Sequence, residues 1–265
     1  MHRAAWTFGT AFVLSIALVC PPSVAAQPAP ALATPSRLLP SAAFHFQWGS
    51  MASSDPRFAW DAVMGMDLDL ASYPHGAVTF RAEYEAILGN QIRAFELNHE
   101  NFALEGGASY DLRTVTVTAA FRHVSRHLSD RPNPNIIAWN LLDGRVRRTF
   151  VAGRTHVTGE ISAGHVLQRT FVDYDWMAAL GIAARRPIDG RLALFAGGTG
   201  QLVGVDAAKV GRGGQCGARL EAGVRIAGQA AAVEIFAGYE RRIDGYPTER
   251  TRMRALTVGF RLTSR

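Results

Sequence analysis

Strict alternation of apolar and polar residues, repeated along most of the chain, is the feature that most restricts its fold. A period of two places every second side chain on one face of a strand, whereas an amphipathic helix needs a repeat near 3.6. Helical periodicity is nearly absent, and we therefore predict an all-β fold with about twelve strands. The strand-like segments lie near 42–50, 58–71, 76–88, 102–111, 113–127, 136–150, 153–168, 171–186, 190–203, 215–227, 229–242 and 251–263.

The connections between these segments alternate in length. Short turns, such as 72–75 and 187–190, follow every second segment, and most of the others are longer, such as 89–101 and 128–135. Short turns at one end and longer loops at the other are typical of a transmembrane antiparallel up-and-down β-barrel, and nine residues suffice to cross a bilayer when tilted. We predict such a barrel in the outer membrane. The alternative is a soluble periplasmic β-sandwich or barrel, which also alternates.

The amino terminus reads as an export segment. We predict that residues 1–26 are a signal peptide, because they have a short basic start, an apolar core at 11–19 and a small-residue cleavage site. We expect 27–41, rich in Pro and Ala, to be a flexible lead-in and 42–265 to be a single barrel domain. Cleavage after residue 26 leaves one cysteine, Cys216, so the mature chain cannot form an intramolecular disulfide.

Positive charge is spread along the chain rather than gathered in one patch. The net charge of +6 arises mostly from single Arg residues, which is unlike a nucleic-acid-binding surface, and we expect no nucleic-acid partner. Arg residues that line a lumen or meet lipid headgroups explain the charge better. Asp143, Arg145 and Arg147 share one face of their strand. With Arg122 they predict an ion network that fills the lumen, and hence a barrel that conducts poorly.

Polar residues interrupt the apolar row of the predicted hairpin 114–151. The row that holds Phe121 continues with His123, Ser125 and His127, and Asn140 interrupts the apolar row of the return strand. A turn centred near 131–132 places His123 opposite Asn140, close to the long-loop end and facing lipid. A His can take a proton from a Ser hydroxyl while an amide holds its other ring nitrogen. These residue types therefore predict a Ser/His/Asn hydrolytic site.

The same hairpin resembles the active-site hairpin of outer-membrane phospholipase A. That family carries His-x-Ser near the end of one strand and Trp-Asn at the start of the next, matched here by His123, Ser125, Trp139 and Asn140. The resemblance implies that Ser125 is the nucleophile, His123 the base and Asn140 the orienting residue. It also implies calcium at the outer rim, phospholipid as substrate and a homodimer whose lipid-facing surfaces form the substrate cleft.

The chain also departs from that pattern. Lipid A deacylases carry His-x-Ser on a smaller barrel with an acidic third member, so lipid A is an alternative substrate. Both families usually follow the serine with Asn, where this chain has Arg126 and His127. For calcium, Ser129 and Asp130 can supply oxygen ligands. The run that contains these residues, SRHLSD, is also similar to a segment of outer-membrane proteins with no assigned activity.

A second reading of the polar residues involves no chemistry. Lipid-facing strands end in polar residues where they leave the hydrocarbon, and His123 and Ser125 then only mark this boundary. The function would in that case be a non-enzymatic outer-membrane barrel that serves transport, adhesion or envelope structure. The relative placement of His123, Ser125 and Asn140 is the observation that separates the two.

Overall fold

The computed structural model describes residues 36–129 and 135–264, and these form a closed antiparallel β-barrel. The predicted fold class and strand number are confirmed. Every strand pairs with its neighbours in sequence, and β1 pairs with β12 to close the ring. The strands are β1 (Arg37–Ala52), β2 (Trp60–Tyr73), β3 (Gly76–Gly89), β4 (Glu96–Leu112), β5 (Val115–His127), β6 (Ile137–Ala152), β7 (Thr155–Thr170), β8 (Tyr174–Pro187), β9 (Leu192–Val205), β10 (Gln215–Ala227), β11 (Ala231–Arg242) and β12 (Met253–Ser264).

An exposed apolar band surrounds the barrel. Large apolar side chains on the outer face of the strands remain open, where a water-soluble protein would cover a patch of this size. Transmembrane barrels carry such a band where they meet lipid. Together with the fold, it supports the predicted location in the outer membrane. Members of the band include Met64, Leu104, Phe121, Leu142, Ile161, Leu180, Leu220, Ile235 and Val258.

The strand β4 begins six residues earlier than the sequence predicts, at Glu96 rather than at residue 102. The polar run before residue 102 reads as loop. Its residues nevertheless pair with β3 and are held from inside, because Asn98 donates a hydrogen bond to the Arg57 carbonyl at 3.1 Å and His99 packs edge-on against Phe58. Tertiary contacts therefore override the local composition.

The strand β1 begins at Arg37, inside the segment 27–41 that the sequence predicts to be a flexible lead-in. Its first residues pair with the end of β2, and the register shifts between Leu38 and Ser41. Pro40 lies in this irregularity, as expected for a residue that has no N–H to donate to a ladder. The lead-in thus ends earlier than predicted, while the predicted signal peptide lies outside the described residues.

Buried ion pairs occupy the lumen. Arg145 binds Glu105 at 2.5 Å and Asp143 at 3.0 Å, and Arg122 reaches Glu105 at 3.3 Å, so these residues form the predicted network. Arg147 lies apart from it and pairs with Glu160 at 2.8 Å. Glu105, which the sequence does not predict as a member, is the carboxylate that Arg122 and Arg145 share. The remaining lumen contains cavities of about 440 Å³ and 510 Å³.

The longer connections close one end of the barrel, which we call the outer rim. There the loop 243–252 turns inward, with Asp244 and Tyr246 buried. Arg212 binds Asp173 at 2.5 Å and Asp244 at 2.7 Å, which connects the three loops that contain these residues. We call this group of three loops the cap.

In the part of the chain that the structure describes, no helix has the length and apolar character needed to span a membrane.

Candidate active site

His123 and Ser125 lie on the outer face of β5, close to the outer rim. Phe121 precedes them on the same face and is 45% exposed, and the cross-strand neighbour of His123 on β4 is the exposed Leu104. The alternation of period two keeps Arg122 and Val124 on the lumen side, where they line a cavity. The two candidate residues are therefore presented to lipid, as the sequence predicts.

His123 and Asn140 are brought together by the pairing of β5 with β6. They stand directly opposite each other in the register, and His123 Nδ1 lies 2.7 Å from Asn140 Oδ1. An amide oxygen can only accept a hydrogen bond, so Nδ1 must carry the proton. The neutral ring then has an unprotonated Nε2, which is the form that acts as a general base.

Gln168 on β7 continues this row and was missed by the sequence analysis. A register shift in the β6–β7 ladder, between Asn140 and Leu141, places Gln168 opposite Asn140. Asn140 Nδ2 donates to Gln168 Oε1 at 3.1 Å. The bond fixes the orientation of the Asn140 amide, because its nitrogen is used by Gln168 and its oxygen faces His123. An extra residue in one strand is a bulge, and bulges re-aim side chains in this way.

Ser125 bonds to His127 rather than to His123. Ser125 Oγ lies 3.3 Å from His127 Nε2, and within the described part of the chain no hydrogen bond joins Ser125 to His123. Residues two apart on a strand face are separated by roughly 6–7 Å at the backbone, so Ser125 stands between two histidines. The expected contact with His123 is not formed, because the Ser125 hydroxyl is turned toward the rim. We call His123, Ser125, His127, Asn140 and Gln168 the rim site.

Aromatic side chains flank the rim site on the β4 side. Phe102 is the cross-strand neighbour of Ser125 and packs edge-on against His127, with 5.4 Å between ring centroids. Tyr84 packs against Phe102 in turn and donates its hydroxyl hydrogen bond to Glu100 at 2.6 Å. Aromatic residues are enriched where a barrel crosses from hydrocarbon to headgroups. These aromatic neighbours indicate that the rim site lies near the border between hydrocarbon and headgroups.

Trp139, the other residue of the matched motif, turns away from the rim site. Strand alternation directs it into the lumen, where it is 9% exposed and packs edge-on against Tyr174 with 5.3 Å between centroids. Its role in this chain is to fill the upper lumen behind Asn140. Trp139 and Asn140 are therefore adjacent in sequence but serve opposite faces of the sheet.

The predicted calcium site lies partly outside the described residues. Ser129 follows β5 with a positive φ of 53°, and Asp130 lies outside the described residues. Among the described residues, no group of three or more His, Cys, Asp or Glu side chains is arranged to hold a metal ion. Calcium takes six to eight oxygen ligands. Ser129 alone does not fit that requirement.

Solved outer-membrane barrels share this architecture. The outer membrane phospholipase A from Escherichia coli superposes with a TM-score of 0.53 at 12% identity, covering 85% of this chain and 97% of its own. The fold is the same. The Salmonella typhi outer membrane phospholipase, solved as a dimer with bound calcium, gives a TM-score of 0.52 at 12% identity, covering 84% and 91%. A KdgM porin gives a TM-score of 0.46 at 8% identity, covering 83% and 97%.

The two phospholipase structures, with TM-scores above 0.5, share the barrel fold with this chain, and their low identities establish nothing beyond it. No protein-family model matches the chain, and no curated protein is similar to it in sequence.

Proposed function

We propose that this protein is a lipid acyl-ester hydrolase that acts at the outer leaflet through the rim site. Ser125 is the proposed nucleophile, His123 the general base and Asn140 the residue that orients the base. The substrate class is a membrane lipid with an ester-linked acyl chain, either a phospholipid or lipid A. The alternative is a non-enzymatic barrel in which the same residues only border the hydrocarbon.

One observation carries the proposal, namely the row Gln168–Asn140–His123 on the lipid-facing surface. Two successive hydrogen bonds, of 3.1 Å and 2.7 Å, leave His123 with its Nε2 unprotonated. A residue that only borders the membrane does not need one particular tautomer, whereas a general base does. His123, with its Nε2 able to accept a proton, is two residues from the outward-facing Ser125.

The chemistry requires Ser125 to leave His127. Rotation about its χ1 angle moves the hydroxyl from one staggered position to another, and such changes take picoseconds to nanoseconds for exposed side chains. Once it points toward His123, the Ser125 hydroxyl gives its proton to His123 Nε2 as Ser125 Oγ attacks the ester carbonyl. The protonated His123 then returns the proton to the departing lipid alcohol. Water, activated by the same nitrogen, cleaves the acyl–Ser125 ester and releases a fatty acid.

The surroundings of the rim site suit a lipid substrate. Leu104, Phe121 and Leu142 are exposed on the membrane side of His123 and can contact an acyl chain while its ester reaches Ser125. The same exposed apolar surface supports the proposal of a homodimer with the site at its interface. Chemical cross-linking in detergent, with and without calcium, tests that part of the proposal separately from catalysis.

The experiment is a lipid hydrolysis assay with a matched control. Purified barrel is mixed with phospholipid or lipid A, with calcium or with a chelator, and released fatty acid is measured. The control is Ser50→Ala, since Ser50 is also an exposed serine near the outer rim but lies on β1, away from β5. We expect release by the wild type and by Ser50→Ala, and none by Ser125→Ala. Equal release by all three, or none by the wild type, would favour the non-enzymatic barrel.

A further inference from the structure

Two arginines face each other on the outer surface of the barrel, on the side away from the rim site. Arg241 at the end of β11 and Arg254 at the start of β12 are direct cross-strand neighbours at the outer rim. The residues on either side of Arg241, Glu240 and Arg242, bind each other in the lumen at 2.9 Å, and the alternation of period two therefore directs the Arg241 side chain outward. In the twelve-strand ring, β11 lies six strands from β5. We call Arg241 and Arg254 the arginine pair.

The arginine pair has no counter-charge in the described structure. Neither side chain forms an ion pair or side-chain hydrogen bond with another described residue, and Arg241 Nε is buried without a hydrogen-bond acceptor. Like charges directly opposite each other on neighbouring strands are destabilising, and a guanidinium does not lose its charge at accessible pH. On the lumen side of the same strand, by contrast, Arg242 pairs with Asp61, Glu85 and Glu240.

The depth of the arginine pair in the membrane indicates which anion it meets. The next outward-facing pair toward the membrane centre is Tyr239 with Leu256, and then comes the exposed Val258. A tyrosine in this position marks the boundary between hydrocarbon and headgroups. The arginine pair lies just beyond that boundary, at the level of lipid phosphates, with apolar side chains beneath it.

We propose that the arginine pair binds the phosphate of an outer-leaflet lipid. Two neighbouring guanidinium groups can each donate to the same phosphate, and arginine matches phosphate geometry with paired hydrogen bonds. Only a lipid presents a phosphate at this depth together with an acyl chain for Leu256 and Val258. The site is separate from the rim site, so this inference does not depend on catalysis.

The test measures lipid binding by native mass spectrometry in detergent. Three probes are compared: lipid A with both phosphates, the same lipid with the phosphates removed, and inorganic phosphate. All proteins carry Ser125→Ala, so that hydrolysis cannot consume the probe. The variant Arg241→Gln/Arg254→Gln removes the site. The control Arg148→Gln/Arg186→Gln removes equal charge from outward residues of β6 and β8 near the short turns, where they do not face each other.

We expect the parent protein and the control to bind phosphorylated lipid A at least about tenfold more tightly than the dephosphorylated form, since charge-assisted hydrogen bonds to phosphate are lost with it. The Arg241→Gln/Arg254→Gln variant should lose this preference while keeping its heat-modifiable mobility. Equal affinity of the parent for both lipids, or an unchanged preference in the variant, would overturn the proposal. Binding of inorganic phosphate as tight as that of the lipid would also overturn it, because the site would then recognise a free anion.

Discussion

At the scale of single residues, the rim site depends on two things: the strand register, which decides which residues face each other, and the side-chain rotamers, which decide which of them form hydrogen bonds. The sequence predicts the facing of His123 and Asn140, because period two and the hairpin length determine which residues are opposite. It does not predict that Ser125 forms a hydrogen bond with His127 rather than with His123, since staggered rotamers of Ser125 allow either partner. It also misses Gln168, because a single extra residue in β7 leaves no mark in the alternation.

Replacing Asn140 tests how the base is oriented. Under the proposed mechanism, Asn140→Ala frees the His123 ring and its tautomer, and we expect kcat to fall by about 100-fold, which is part of what acid–base catalysis contributes. Asn140→Asp keeps an oxygen acceptor at 2.7 Å from Nδ1 and should restore much of the loss. Steady-state kinetics on dispersed lipid measures both. Equal losses in the two variants would argue against an orienting role.

Replacing His127 decides which histidine is the base. His127→Phe retains a ring against Phe102 but removes the hydrogen bond that holds Ser125 toward the rim. Such a bond is worth about 0.5–1.5 kcal/mol, so releasing Ser125 should raise kcat/KM by roughly two- to tenfold. His123→Ala should abolish activity in parallel. Loss of activity in His127→Phe with activity kept in His123→Ala would transfer the role of base to His127.

At the scale of elements, the twelve strands follow from alternation, while their ends follow from tertiary contacts. Most strand ends lie within a few residues of their predicted positions because turn residues are legible in the sequence. The start of β4 is the clearest exception. Its polar residues carry no strand pattern, and the contacts of Asn98 with Arg57 and of His99 with Tyr246 explain why pairing continues there.

Ion pairs between strands in the lumen should contribute differently to the stability of the barrel, according to how deeply they are buried. Glu105→Ala leaves Arg145, whose side chain is 9% exposed, with one carboxylate fewer. We expect the free energy of unfolding to fall by about 3 kcal/mol. Glu160→Ala breaks a more exposed pair with Arg147 and should cost less than about 1 kcal/mol. Urea unfolding followed by gel mobility compares them. A Glu105 variant as stable as the Glu160 variant would contradict this ranking.

At the scale of the whole molecule, the barrel is closed at the outer rim by the cap, which the sequence analysis does not foresee. Burial raises the pKa of Asp173, but hydrogen bonds from Arg212 outweigh it and hold the pKa below its ordinary value of 3.8. A carboxylate with a lowered pKa stabilises the folded state above that ordinary value, and this contribution is lost as pH falls through the folded-state pKa.

The cap should therefore open in acid and not near neutrality. In planar bilayers we expect little conductance from neutral pH down to about pH 4, and more only when the pH falls through the lowered pKa of Asp173. Asp173→Asn mimics the protonated carboxyl and should raise conductance at neutral pH without acid. Large, stable conductance of the wild type at neutral pH would contradict a barrel closed by the cap and filled by charge.

The most direct test of the central claim is covalent labelling of the nucleophile. A fluorophosphonate with a long alkyl chain reacts with a serine only when a neighbouring base activates it, and peptide mass spectrometry locates the adduct. The account predicts a label on Ser125 in the wild type, no label there in His123→Ala, and none on Ser50. An unlabelled wild type, or a Ser125 label that persists unchanged in His123→Ala, would contradict it.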